Sequence, residues 1–587
     1  MSTIDSSASG SSAPPPALPS RFGALWFEFR AGGFKCLRFA RNLFDRTHRR
    51  HRAGSRLREA PVIAESISTL WPGKDAGENA LAENTLVLGK IENLRIARRA
   101  FDGIELSRGD VLSFWAQLGR PSRGRGFAIG RELREGCLIP SIGGGLCQLS
   151  NALYDAALKA GLGVVERHAH SQIIPGSAAA RDRDATVFWN YVDLRLRAPC
   201  DLRLEVTLDA ESLTVRMRGV VPAAPVSGRT IDATLESGIG ALPSQRPGDC
   251  VTCGQDECFR NAPTLRDVQG KTAILVQAPM PEHAQFLATD VAQGERIGAN
   301  ASLSMQVRQK ILAIEHRLWR SPPARRATAM AALVANAAAA GLRPEHLELY
   351  VDQAWLPYLW RSGALAGRRY HVLMRALPMA CIHAQLDAAA AHHPDEASLR
   401  DFRADDDLLR AERDALDGAE RWIGAHAGML DLAGAKAHPL PWRLPARTVA
   451  NAERRPGPMR IYFPASSLMR KGAWELSAAM SGLDADIVLP MRDGGEPARW
   501  KNIALHRVDD VDSALSLCDA VALPAWVEHE PRVLIAAIAR GIPVIATAAC
   551  GLGGLHGWSE VPAGDVDALR VALKRVEDTL PGHPRQA

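Results

Sequence analysis

Residues 457–490, GPMRIYFPASSLMRKGAWELSAAMSGLDADIVLP, read as strand, turn, helix and strand in succession. The apolar run around Ile461 and the run DADIVLP are short enough for buried strands, and the stretch between them carries helix formers. Arg470, Lys471 and Gly472 fall at the turn between strand and helix. The alternation continues through IALHRV, AVALPAW and IPVIAT. Upstream, from Lys271, the runs KTAILVQAP, LELYVDQ and YHVLMRALP are separated by Ala-rich helical stretches. Strand–helix alternation over this length predicts parallel sheets in doubly wound α/β domains. Residues 396–430, rich in charge and free of proline, predict one long helix. The stretch AHPLPWRLPARTVANAERRPGP, with its five prolines, is the expected linker between two such domains, at 271–445 and 457–580.

A chain of 587 residues is too long for a single core. Residues 1–20 are small, polar and Pro-rich, without the basic and apolar regions of a secretory signal, and read as a disordered tail. No stretch of about eighteen apolar residues is present to span a bilayer. The net charge of +6 is uneven: eleven Lys/Arg against three Asp/Glu between Arg21 and Glu59 give that segment +8, leaving about −2 elsewhere. That balance argues against a nucleic-acid partner. Residues 21–60 interleave Phe and Leu with Arg at roughly helical spacing. They suit an anionic membrane surface, or a helix packed on its own domain with a solvated basic face. Gly32 and Gly33 are expected to interrupt that helix.

Residues 80–220 mix strand-like runs, among them LRLEVTLD and SLTVRMRG, with one clear helix. GGGLCQLSNALYDAALKAGLG starts on three glycines, and its apolar spacing predicts a helix opening near Cys147 and stopped by Gly161. A thiol in a first helical turn, facing unpaired N–H groups, is favoured as thiolate. VVERHAHS reads as a strand placing His168 and His170 on one face, and Asp184 follows in another expected strand. Cys147, His168 or His170, and Asp184 are thus candidates for nucleophile, base and orienter. The alternative for Cys147 is a small buried residue at a tight helix–glycine contact.

Residues 248–262 hold Cys250, Cys253 and Cys258 as C-x2-C-x4-C. This spacing suits a zinc site or an iron–sulfur cluster, with Cys200, His168 or solvent as a fourth ligand, or else a dithiol pair or three ordinary loop cysteines.

GGGLCQLS, LYDAALKAGL, VERHAHS, and DATV followed by DL resemble the VanW family, over about 80–220. The last domain resembles the donor-binding half of GT-B glycosyltransferases, especially the retaining family that uses nucleotide sugars, with a fainter likeness over 271–445. In that family a loop of the type E-G-F-P begins a motif with a second Glu eight positions on, followed by G-x-P-V-V-A. Here Glu528 takes the first place, Gly541, Pro543 and Val544 match the tail, and Ala536 stands at the second acidic position. Lys471 and Gly472 are kept, while Ser466 stands where the family has an Arg.

The resemblance implies a multidomain α/β chain: an α+β VanW-like domain followed by two Rossmann-like doubly wound domains in GT-B arrangement. It further implies a nucleotide-sugar donor, with Lys471 and Arg470 toward the diphosphate and Glu528 and Glu530 toward the donor sugar. An unidentified glycan or lipid-linked acceptor would be received near His371, Arg375 and Pro378, with His383 and His426 in the same half. Ordinary core or surface roles are the alternative for these histidines. The expected setting is cytoplasmic, peripheral at the inner face of the membrane through residues 21–58, in envelope glycan synthesis. The competing reading makes the VanW-like unit a cysteine hydrolase or acyltransferase on a non-catalytic GT-B platform, and a third makes the chain an envelope-assembly scaffold.

Overall fold

The computed structural model describes residues 21–71, 80–134, 137–169, 183–189, 192–220, 270–298, 303–318, 323–400, 403–446, 457–491, 500 and 503–580. The chain forms two compact units, Met1–Gly270 with Ala366–Arg368, and Lys271–Leu365 with Arg369–Ala587.

The first unit begins with α1 (Arg21–Phe44), which runs unbroken through Gly32 and Gly33, contrary to the expected interruption. A glycine in a helix costs about 1 kcal/mol relative to alanine, which weakens a helix without forbidding it. The main sheet is antiparallel: β1 (Val62–Thr69) pairs with β9 (Ser212–Gly219), β9 with β8 (Leu202–Leu208), and β8 with β2 (Glu105–Leu106). Leu202, Leu204 and Val206 alternate along β8 and are wholly buried. Their two-residue period is what a strand with one covered face requires. A smaller sheet orders β3 (Val111–Ser113), β7 (Arg195–Arg197) and β6 (Gly163–Glu166), and β4 (Ile129–Arg134) pairs with β5 (Cys137–Ile142). Helix α2 (Ala80–Phe101) and the helix Cys147–Lys159 contribute Ile91, Leu94, Leu149, Leu153 and Ala156 to the same core.

Two sequence expectations shift here. Strand β6 ends at Glu166, so His168 lies beyond it, and Asp184 sits in irregular chain rather than a strand. His170 lies outside the described residues, as do Cys250, Cys253 and Cys258.

The second unit holds two six-stranded sheets, parallel throughout. The first orders β11 (Glu295–Arg296), β10 (Lys271–Leu275), β12 (His346–Asp352), β13 (Arg369–Leu373), β14 (Arg421–Gly424) and β15 (Ala437–Pro439). The expected long helix over 396–430 is instead a helix Asp406–Asp417, strand β14 and a helix Ala427–Ala433. Ile423 takes β14 into the core with no exposure, and that burial outweighs the helical composition around it. The second sheet orders β18 (Leu505–Val508), β17 (Ala485–Pro490), β16 (Met459–Tyr462), β19 (Ala520–Leu523), β20 (Val544–Ala546) and β21 (Trp558–Glu560). In chain order that is 3-2-1-4-5-6, the doubly wound arrangement, with its switch point between β16 and β19. The multidomain α/β class expected from the sequence is the one observed.

Two measurements test this architecture. Ile461, fully buried on β16, should cost about 2–5 kcal/mol when replaced by alanine, read by urea denaturation of the second unit. His283 is buried, its Nε2 3.2 Å from the Ile423 carbonyl, and burial pushes the imidazole from 6.5 down to about 4. The unfolded chain therefore takes up this proton first, so stability present above about pH 6.5 is lost as pH falls toward 4. His283→Gln should flatten that part of the stability–pH curve.

Candidate functional site

The loops after β16 and β19 leave the carboxyl edge of the second sheet side by side, where such sheets form ligand crevices. The loop after β16 makes a short 3-10 turn, Met469–Lys471, and enters the helix Ala473–Met480 through Gly472. Gly472 adopts φ +79°, and a Cβ there would collide with the Pro524 carbonyl. Only glycine allows this approach. The amides of Trp526 and Val527 then donate to the Arg470 carbonyl at 3.0 and 3.2 Å, clasping the two loops together.

The clasp brings Lys471 to Glu528. Lys471 Nζ lies 3.0 Å from Glu528 Oε2 and donates to the Val527 carbonyl at 3.0 Å. Glu528 Oε1 accepts from the His529 and Glu530 amides at 2.7 and 3.0 Å. Burial alone would raise the Glu528 carboxyl, but Lys471 and the two amides hold it below its ordinary value. Burial, with Lys471 adding to it, pushes His529 down to about 4 and so keeps it neutral.

The first sheet of the same unit faces this crevice with its own loops. His426, just past β14, is buried, lies against Gly551, and places Nε2 3.1 Å from the Ala549 carbonyl. Its Nδ1 is buried without a hydrogen-bond partner. Arg375 reaches Asp352 at 3.1 Å and Glu530 at 3.7 Å. Arg532 forms a two-pronged pair with buried Glu282, both contacts 2.7 Å, and lies over the Trp442 ring. Trp442 in turn donates to the Gly551 carbonyl at 3.1 Å.

Among the sequence candidates, Lys471, Glu528, Glu530, Arg375 and His426 therefore gather at this crevice, with Arg470 supplying the backbone clasp. His371 instead pairs with Glu348 at 3.0 Å and stacks on Tyr350, His383 accepts from the Ala404 amide, and Pro378 caps a helix. Ala536 packs half-buried against the core, and Ser466 lies in the loop before Lys471. Sequence reasoning missed His529, Trp442, Arg532 and Glu282. His529 had a signal in its place next to Glu528, whereas Glu282 and Arg532 stand 250 residues apart.

In the first unit, Cys147 is the first residue of its helix, with Sγ 3.7 Å from Thr186 Oγ1 and 3.9 Å from the Val187 carbonyl. The Thr186 amide donates to the His168 carbonyl, which brings those two segments together. The His168 ring lies 3.4 Å from Glu166, while the Asp184 carbonyl accepts from Arg167 Nε. The carboxylate beside this imidazole is thus Glu166. The glycines before Cys147 are required by close packing: a Cβ on Gly144 would strike the Gly130 backbone, and one on Gly145 the Lys90 stem. Among the described residues, no group of three or more His, Cys, Asp or Glu side chains is arranged to hold a metal ion.

Comparison with known proteins locates two families. The family described as VanW like protein matches residues 89–218, and that described as Glycosyl transferases group 1 matches residues 501–577. The Vancomycin B-type resistance protein VanW of Enterococcus faecalis is 29% identical over 131 residues, covering 21% of this chain and 47% of that protein. The uncharacterized protein YoaR of Bacillus subtilis is 31% identical over 137 residues, 23% of this chain and 45% of its own. The chain thus spans less than half the length of each of these relatives. Among solved structures, the sucrose-phosphate synthase of Thermosynechococcus elongatus aligns at 18% identity and TM-score 0.32, over 44% of this chain and 71% of that one. The chain therefore carries one segment similar to the VanW like proteins and another similar to the group 1 glycosyl transferases.

Proposed function

We propose that the chain is a glycosyltransferase that moves a sugar from a nucleotide donor to a glycan or lipid-linked acceptor in envelope glycan synthesis, at the inner face of the membrane. The observation that carries this reading is the Lys471–Glu528 pair, half-buried together at the switch-point crevice of the second sheet. Lys471 is placed to exchange its contact with Glu528 for the donor diphosphate, and Glu528, so released, accepts hydrogen bonds from sugar hydroxyls. Arg470 and Glu530 flank these two roles. In the transfer, the bond from the anomeric carbon to the diphosphate oxygen breaks and a bond to an acceptor oxygen forms. The acceptor proton passes to the departing diphosphate. The family likeness favours retention of configuration.

Ala536 and Ser466 stand where the family pattern has its second carboxylate for the ribose and its arginine for the diphosphate, leaving neighbouring Glu530 and Arg470 to compensate. Two lost hydrogen-bond partners weaken donor binding by several kcal/mol at most, and a weak donor site is the expected consequence.

A second reading is favoured by one observation, the placement of Cys147 at a helix start beside Thr186, with the His168–Glu166 pair close by. In it the first unit is a cysteine hydrolase or acyltransferase and the second a binding platform. Replacing Cys147 by serine and Glu528 by glutamine separately, in a cellular envelope assay, ranks the two.

Calorimetry against a panel of nucleotide sugars tests the transferase directly. Lys471→Met should weaken donor binding about 10- to 100-fold, the equivalent of one charge-assisted contact, and Glu528→Gln should lower turnover while the fold persists. Binding of no donor by the unaltered chain refutes the proposal. Gly472→Ala should lower thermal stability and donor affinity together, because a β-carbon there parts the two loops that hold Lys471 against Glu528.

A further inference from the structure

Helix α1 carries an unusual surface. Phe29, Leu37, Phe39, Leu43 and Phe44 are between 57% and 88% exposed. At about 100° per residue they fall within one arc of roughly 160°. Arg38 lies on the opposite side, where it makes a two-pronged pair with Glu166, at 2.9 and 2.7 Å, and stands 3.6 Å from Asp193. Just past the helix, Asp45 and Thr47 are held by Arg195 at 2.6 and 2.8 Å. The helix is therefore fixed to the first unit by its polar side, with its apolar side turned outward.

That apolar face is not used by the glycosyl-transfer reading, and its charge surroundings identify what covers it. Arg41, Arg46, Arg50 and Arg52 are exposed along and after the helix, and Arg49 beside them pairs with Asp110 at 2.5 Å. The segment Arg21–Glu59 carries +8, while the remainder of the chain sums to about −2. A second copy of the chain would bring another +8 against the first and be repelled. A surface with an apolar interior and anionic headgroups satisfies both features at once.

We propose that α1 is an interfacial anchor, laying Phe29, Leu37, Phe39, Leu43 and Phe44 into the acyl–headgroup boundary of an anionic lipid surface while its arginines meet the phosphates. Arg38, pinned to Glu166 and Asp193 behind the helix, sets which side of the first unit faces the lipid. Helix α1 has its polar side fixed to the first unit and its apolar side outward, so the attachment it gives is peripheral.

Co-sedimentation of the full chain with vesicles tests this. Phosphatidylcholine vesicles containing phosphatidylglycerol should bind the chain, pure phosphatidylcholine should bind it weakly, and added salt should release it. The double substitution Phe39→Glu and Leu43→Glu, at exposed positions, should reduce vesicle binding about tenfold or more. Its circular dichroism, melting temperature and nucleotide-sugar affinity should match the unaltered chain, which keeps this test separate from that of the transferase. Absence of binding to anionic vesicles overturns the proposal. So does unchanged vesicle binding in the double variant, as does a dimer that the variant dissociates while lipid binding persists.

Discussion

The contact between Gly472 and the Pro524 carbonyl is the constraint on which the second unit's chemistry depends. A doubly wound sheet must reverse its winding once, and at that point two neighbouring strands send their loops apart to opposite faces. Here β16 and β19 are those strands, and their loops would leave an open gap. The missing side chain at Gly472 lets them close instead, and the Arg470 carbonyl then receives two amides from the partner loop. A cation from one loop and a carboxylate from the other are thereby half-buried as a pair. The local dielectric is lowered around both, so whatever replaces either partner is felt strongly.

The second unit also ties its two sheets together by charge. Glu282 is almost wholly buried, and burial would push its carboxyl upward; Arg532 and the Arg443 amide reverse that and hold it low. Breaking such a pair strands a buried carboxylate, which is far more costly than the pair is stabilising. Arg375 with Glu530, and His426 with the Ala549 carbonyl, repeat the crossing with weaker contacts. The crevice is thus bounded by one strong tie and several that a ligand can outcompete.

Much of this was legible in the sequence because it is local. The strands of the second sheet show as short apolar runs, the Lys–Gly turn sits between a run and a helix, and the glycines before Cys147 precede an amphipathic pattern. What failed was short or non-local. Strand β14 has four residues inside a charged, helix-rich stretch, and its identity comes from Ile423 being buried against Phe286 and Leu287, far back along the chain. Asp184 was the carboxylate expected beside His168 or His170; β6 ends early and brings Glu166, two residues back along the chain, to the His168 ring. Glu282 carries no sequence signal at all, since its role is defined by an arginine brought near only by folding.

Ser466 and Ala536, the two departures from the family pattern, have a common electrostatic sense. Relative to that pattern, one removes a positive charge and the other a negative one, so the net charge of the crevice is unchanged. Losing only the arginine would leave an excess of buried carboxylate, and losing only the carboxylate would leave an excess of cation. Ala536 also lies one helical turn after Arg532, on the same face of the helix Arg532–Ala539. A glutamate at 536 would compete with Glu282 for that guanidinium, loosening the tie between the sheets. The small residue leaves Arg532 wholly to Glu282. Lys471 and Glu528 meanwhile keep their mutual neutrality.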